Sequence, residues 1–241
     1  MASKEEFENH VWQDLLTPEM IKIYEPYRRE TFVGEKPALL LIDLYNGAYM
    51  GGPVPVIDLQ STYPKSCGEN AWKTIKPTQD LIAICRQKGI PLIYCTGETR
   101  PEARAMQSTK RKGNPKTGEA YQIRDDFKPQ FGDIVLPKQR ASIFYGTPLA
   151  AALVTLGVRS LIVVGESTSG CVRSSVIDCR SNGYHTVVVE ECVFDRHELP
   201  HKMNLFDMHH KYADVMHVEE VIAHLATLPD ANVMIIDHDG K

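Results

Sequence analysis

The chain is expected to fold as α/β, with a parallel sheet covered on both faces by helices. Three observations predict this. Apolar runs recur along the chain: PALLLIDL (37–44), IPLIYCT (90–96), DIVLP (133–137), residues 160–165, YHTVVVE (184–190) and DVMHV (214–218). The strongest of them, such as Leu39 to Ile42 and Leu161 to Val164, are continuously apolar, as strands buried on both faces are. Segments of helical character lie between the runs, and glycines Gly89, Gly157 and Gly183 close three of them.

The elements follow in order. Residues 1–30 read as a helical arm, with Trp12, Leu15, Leu16, Met20, Ile21 and Ile23 near helical spacing and a break at Pro18. Such an arm cannot bury its own apolar face, so it is expected to lie on its own domain or on a neighbouring subunit. The first strand, 37–44, leads to a loop over 45–70 and then to a helix within 71–88 that stops at Gly89. After the strand 90–96 comes a polar, turn-rich excursion, 97–130, with a basic patch TKRKGNPK at 109–116. A loop of that length in a compact domain is often functional, and a solvated surface excursion is its plain alternative. The strand 133–137 is followed by TPLAAALVTL (147–156), a helix with Thr147 as N-cap and Pro148 at its first position. Next come strand 160–165, helix 171–182, strand 184–190, a helix over 200–211, the short strand 214–218 and a last helix over 219–227.

Composition narrows the function classes. Of 241 residues, 43% are hydrophobic and 24% charged, so a sizeable core is available. A formal net charge of −4 offers no electrostatic basis for nucleic acid or an anionic membrane as partner. No apolar run approaches the ~20 residues of a membrane span. The stretch MASKEEFENHVWQDLL lacks the apolar region of a signal peptide, so a cytoplasmic location is the expectation. Six cysteines, Cys67, Cys85, Cys95, Cys171, Cys179 and Cys192, form no C-x-x-C pair and no zinc spacing. Most of them read as small core residues; Cys192 is expected to follow a strand.

Active sites of parallel sheets lie beyond the carboxyl ends of the strands. Three reactive side chains stand there: Asp43 at the end of the first strand, Lys138 at the end of 133–137, and Cys171 after 160–165. Strand tips of a parallel sheet point one way, so the three can converge. Singly, each has a plain reading as cap, solvated lysine or packing thiol. Together they make a nucleophile, a carboxylate base and a cation. Cys171 is placed in the first turn of its helix, where free N–H groups and the helix dipole lower a thiol pKa. In the turn GESTSGC, the N–H of Cys171 and a second N–H are candidates for an oxyanion hole.

The segments LLLIDLYNG (39–47), LPKQRASIFYGTPLA (136–150), VVGESTSGCVRSSVIDC (163–179), VVVEECVFDRH (187–197) and NLFDMHHKYADV (204–215) resemble the cysteine branch of the isochorismatase-like hydrolases. They are most similar there to the subgroup of N-carbamoylsarcosine, maleamate, biuret and triuret hydrolases. The resemblance implies a three-layer Rossmann-like fold around a six-stranded parallel sheet; the residues themselves divide the chain into one domain over 31–241 and the arm 1–30, expected as an oligomer contact. It implies an Asp–Lys–Cys triad at Asp43, Lys138 and Cys171, and a cis peptide at Glu166–Ser167 that aims the Ser167 N–H at the oxyanion beside that of Cys171. It further implies Arg196 as a ligand of a substrate carboxylate or carbonyl, a homotetramer, and no cofactor.

Two positions depart from the pattern. Asn46 stands where many relatives carry glutamine, and Glu166 replaces a small or apolar residue; both are counted as substrate-site candidates. Glu166 either favours a neutral or cationic substrate group or turns away to cap something. The Asp-x-His metal motif of nicotinamidases has no match, since DLQ (58–60) lacks the histidine, and His197, His201, His209 and His210 show no ligand spacing.

The expected reaction is hydrolysis of a C–N bond in a small carbamoyl, ureido or carboxamide compound through a thioester, releasing ammonia. The alternatives are an amidase for a dicarboxylic monoamide such as maleamate, and a non-catalytic binding module on the same fold. A vinyl-ether-cleaving enzyme lacks the cysteine. A redox sensor needs a resolving thiol, and Cys179 lies ~12 Å along the helix from Cys171.

Overall fold

In the computed structural model, which describes residues 9–100 and 118–231, six strands form one sheet: β1 (Pro37–Ile42), β2 (Leu92–Gly97), β3 (Ile134–Lys138), β4 (Ser160–Glu166), β5 (His185–Phe194) and β6 (Asp214–Met216). Their order is β3-β2-β1-β4-β5-β6, and every pairing is parallel. The order reverses between β1 and β4, which opens a crevice at their carboxyl ends.

Alternation along β1 divides the core. Ala38, Leu40 and Ile42 face one layer, where Leu149, Leu153, Val172, Val176, Leu205 and Met208 pack. Leu39 and Leu41 face the other, with Leu81, Cys85, Val221 and Leu225. Helices Leu149–Thr155, Arg173–Ser181 and Glu198–Lys211 therefore cover one face, and Ile75–Gln87 and Val218–Ala226 the other. The three-layer α/β reading holds.

Several boundaries move. Pro18 starts a helix, Pro18–Tyr24, instead of breaking one; the Thr17 hydroxyl accepts the N–H of Met20 at 3.2 Å. Proline suits a first helical position because its missing N–H has no partner there anyway. Thr147 lies one residue further out than a cap. Its hydroxyl accepts the Leu149 N–H at 3.2 Å, and Pro148 takes the cap position. Strand β5 runs on to Phe194, past a register shift against β4, so Cys192 lies inside it. The 45–70 loop contains short helical turns at Asn46–Tyr49, Val56–Leu59 and Gly68–Trp72. The basic patch at 109–116 lies outside the described residues.

The described part of the arm, from Asn9 on, lies on its own domain. Trp12 is wholly buried in the first core layer, edge-on to Phe206, and Leu16 is buried beside it. Polar contacts clasp the same segment. His10 Nδ1 meets Glu190 at 2.7 Å, and the Val11 N–H donates to Glu190 at 3.0 Å. His217 spends one ring nitrogen on Glu191 at 2.6 Å and the other on the Asn9 carbonyl at 2.6 Å. Ring nitrogens and carboxylate of His10, Glu190 and His217 lie within 4.8 Å of one another, but these contacts already use them. Trp12→Ala is expected to destabilise the protein by ~3–5 kcal/mol, as truncation of a buried tryptophan does, and chemical denaturation measures it. Among the described residues, no helix is long and apolar enough to cross a membrane.

Candidate functional site

Asp43 follows β1 directly, in a left-handed conformation with φ of 55°. Aspartate tolerates that region better than most residues. The turn is tied by the Asp43 N–H to the Cys95 carbonyl at 3.2 Å and by the Tyr45 N–H to the Asp43 carbonyl at 2.8 Å. Its carboxylate is buried at the crevice. Lys138, the last residue of β3, reaches past the tip of β2 and pairs with Asp43 Oδ2 at 2.7 Å. The same ammonium donates to Cys171 Sγ at 3.3 Å and to the Arg140 carbonyl at 3.2 Å. Three residues far apart in sequence thus share one buried cation.

The nucleophile turn has its own construction. Gly165, opposite Ile42 in the β1–β4 register, has φ of 110°, and a Cβ there would sit 1.9 Å from the Ile42 carbonyl oxygen. Only glycine fits this close approach. The next peptide, Glu166–Ser167, is cis. The chain then enters a π-type turn, Thr168–Val172, in which the Ser167 carbonyl accepts the N–H groups of Gly170 at 2.8 Å and Val172 at 3.1 Å. Helical structure therefore begins at Thr168, three residues before the expected start, and Cys171 lies inside the turn instead of opening the helix. Asp195 holds the turn from β5's end, accepting the Ser169 N–H at 2.8 Å and its hydroxyl at 2.6 Å. Thr168 bonds His201 at 2.8 Å.

Electrostatics correct a second expectation. Burial, and then the Asp43 carboxylate, push the Cys171 thiol up to about 12, against the opposing pull of Lys138. A resting thiolate stabilised by a helix end is therefore not what the site holds. It holds a neutral thiol beside a carboxylate. Burial alone pulls Lys138 down, but Asp43, Cys95 and Cys171 outweigh it and leave the lysine raised and charged.

The remaining candidates separate. Glu166 is buried, accepts the Cys67 thiol at 3.4 Å and has the Tyr45 hydroxyl nearby. Asn46 faces the loop instead: its N–H donates to the Gln122 carbonyl at 2.9 Å and its amide to Glu119 at 3.3 Å. Arg196 is exposed, with its guanidinium on Gln60. A cavity of about 440 Å³ beside the nucleophile turn, lined by Val11, Asn70, Glu190, Asp195 and His201, contains none of Asp43, Lys138 and Cys171.

Sequence reasoning missed Cys95, whose thiol faces Asp43 Oδ1 at 3.6 Å, and it missed Tyr45 and Cys67. The strand-tip argument that selected Asp43 would have found Cys95, which pairs with Ile42 in the parallel register. No sequence signal pointed to Cys67, which is brought in by the 45–70 loop. His197, His201, His209 and His210 disperse, His197 capping Glu198–Lys211 and His209 accepting the Val215 N–H at 3.2 Å.

The Isochorismatase domain model matches residues 37–220. The chain belongs to the isochorismatase family. Within that family it is 33% identical over 207 residues to a maleamate amidohydrolase of Pseudomonas putida, covering 81% of this chain and 89% of the relative. It is 31% identical over 214 residues to an N-carbamoylsarcosine amidase of Arthrobacter sp, covering 84% and 76%. Among solved structures, the N-carbamoylsarcosine amidase of Thermoplasma acidophilum superposes with a TM-score of 0.58 at 26% identity, covering 77% of this chain and 98% of that one. This isochorismatase-family protein is thus a hydrolase whose relatives are amidohydrolases.

Proposed function

We propose that the protein is a cysteine-dependent amidohydrolase acting on a small carbamoyl, ureido or carboxamide compound, with Asp43, Lys138 and Cys171 as its catalytic residues. The observation that carries this is the shared ammonium: Lys138 Nζ stands 2.7 Å from the Asp43 carboxylate and 3.3 Å from the Cys171 sulfur in a buried crevice. Asp43 accepts the thiol proton as sulfur attacks the carbonyl carbon. The N–H groups of Ser167 and Cys171 receive the oxyanion. The C–N bond breaks, Asp43 returns the proton to the departing nitrogen, and ammonia or an amine leaves a thioester. Asp43 then takes a proton from water as its oxygen attacks the thioester. The C–S bond breaks, and the proton goes back to sulfur. A thiol that is neutral at rest suits this sequence, because the base shares the Lys138 ammonium with it.

No cofactor enters this scheme. Arg196 is assigned to the far carboxylate or carbonyl of the substrate; its exposed guanidinium, which acts on Cys67, supports it. The similarity to a maleamate amidohydrolase supports a second reading, an amidase for a dicarboxylic monoamide. Ammonia release from N-carbamoylsarcosine, other N-carbamoyl amino acids, maleamate, biuret, triuret and nicotinamide separates the two. Turnover of a ureido compound with maleamate silent supports the first; the reverse supports the second. Silence on all of them, with Cys171 inert to alkylation, supports the binding module. The homotetramer implied by the resemblance is carried into this reading, and light scattering checks it.

A further inference from the structure

Two carboxyl groups and one lysine meet at the crevice. Lys138 is spent on Asp43. Glu166, at the carboxyl end of β4, is the excess acid, and the mechanism above does not use it. It is 7% exposed and Asp43 is 3% exposed, so neither charge is dispersed by water. Glu166 is not left as an accident of packing: Cys67 donates to its Oε2 at 3.4 Å, and the Tyr45 hydroxyl stands close enough to favour its charged form. Tyr45 begins the 45–70 loop and Cys67 lies near its far end, so both ends of that loop meet at this acid.

We propose that Glu166 is a positioning residue of the reaction: its carboxylate, held by Tyr45 and Cys67 beside Asp43, drives the Cys171 thiol proton onto Asp43. The inference rests on the cysteine-nucleophile reading above. The physical reason is like-charge repulsion in a buried site. When Cys171 gives its proton to Asp43, negative charge moves off the carboxylate that neighbours Glu166 and onto a sulfur held by Lys138. An ionised Glu166 favours that transfer.

The charged and titratable groups acting on Glu166 are Asp43, Tyr45, Tyr49, Cys67 and Lys138, and Asp195 and Arg196 act on Cys67. Burial first, and then Asp43, raise Glu166 to about 7, against the lowering effect of Tyr45, Cys67 and Lys138. Its charge is therefore present above neutrality and absent below it. The Cys171 thiol, up at about 12, is too high to titrate in that window by itself.

The test reads Cys171 directly and needs no substrate. The rate of iodoacetamide alkylation at Cys171, followed by peptide mass spectrometry, is measured from pH 5.5 to 9. The expected wild-type profile contains a rise with a midpoint near 7. In Glu166→Gln that step disappears, and the rate at pH 8 falls about tenfold, the effect of one pKa unit. Glu166→Asp keeps the step. If Glu166→Gln does not fold, Tyr45→Phe replaces it: with one donor to the carboxylate lost, the step moves to higher pH. Identical profiles in wild type and Glu166→Gln, or a faster variant, overturn the proposal while leaving the nucleophile in place. Amide turnover that survives in Cys171→Ala overturns the nucleophile reading and the proposal with it.

Discussion

Cys171→Ala is expected to lower amide turnover by about 10⁴-fold or more while the protein stays folded. Losing the nucleophile of a covalent mechanism costs the whole covalent route, and what remains is the background from binding and oxyanion stabilisation. The fold tolerates the change because Cys171 is only partly buried, at the rim of the first core layer. Its sulfur meets Lys138. The paired measurements are ammonia release on whichever compound of the panel the wild type cleaves, and thermal unfolding. Activity within tenfold of wild type would remove Cys171 from the reaction. A collapse of the melting transition would instead make the thiol structural. Cys171→Ser, close in shape, is expected to be equally inactive, because a hydroxyl in this environment is a far poorer nucleophile than sulfur.

Lys138→Met is expected to abolish activity and also to cost ~3–5 kcal/mol of stability, the usual penalty for leaving a buried charge without its partner. Asp43 keeps its burial but loses its cation, and the Arg140 carbonyl loses a donor. The double variant Lys138→Met with Asp43→Asn removes both charges and is expected to regain most of that stability without regaining activity. Urea denaturation of the two variants checks this. If the single variant is as stable as wild type, the pair is not buried as described. The sign of the pH dependence follows from the raised lysine. A group raised on folding stabilises below its unfolded value and loses that contribution only as the pH climbs through the folded one. The Lys138 contribution is therefore present at neutral pH and fades only above the ordinary lysine range.

The parallel α/β fold was legible because burial on both faces leaves a plain trace. Leu39 to Ile42 and Leu161 to Val164 have no polar face to alternate with, and glycine stops end the intervening helices. Helix starts were less legible. The beginning of the nucleophile helix was misplaced because Ser167 to Gly170 are small residues compatible with loop or turn, and only the hydrogen bonds of the Ser167 carbonyl decide between them. Pro18 and Thr147 were misjudged for a related reason: a proline or threonine near a helix start is read from its neighbours, and a shift of one residue changes its role.

By itself, the sequence determined which residues stand at strand tips, and hence that Asp43, Lys138 and Cys171 can converge in one crevice. A shared strand direction permits that. The identity of the thiol's partners needed the tertiary structure. Strand order places β3 two strands from β1, so only a long side chain such as Lys138 can bridge them. Tertiary burial also reversed the expected state of Cys171. A helix end stabilises a thiolate, but desolvation and a neighbouring carboxylate act on the same sulfur and outweigh it. The same burial turned Glu166 from an unexplained departure in a motif into a carboxyl group held beside Asp43. Burial and charge neighbourhood are sums over segments distant in the chain, and no local window of residues contains them.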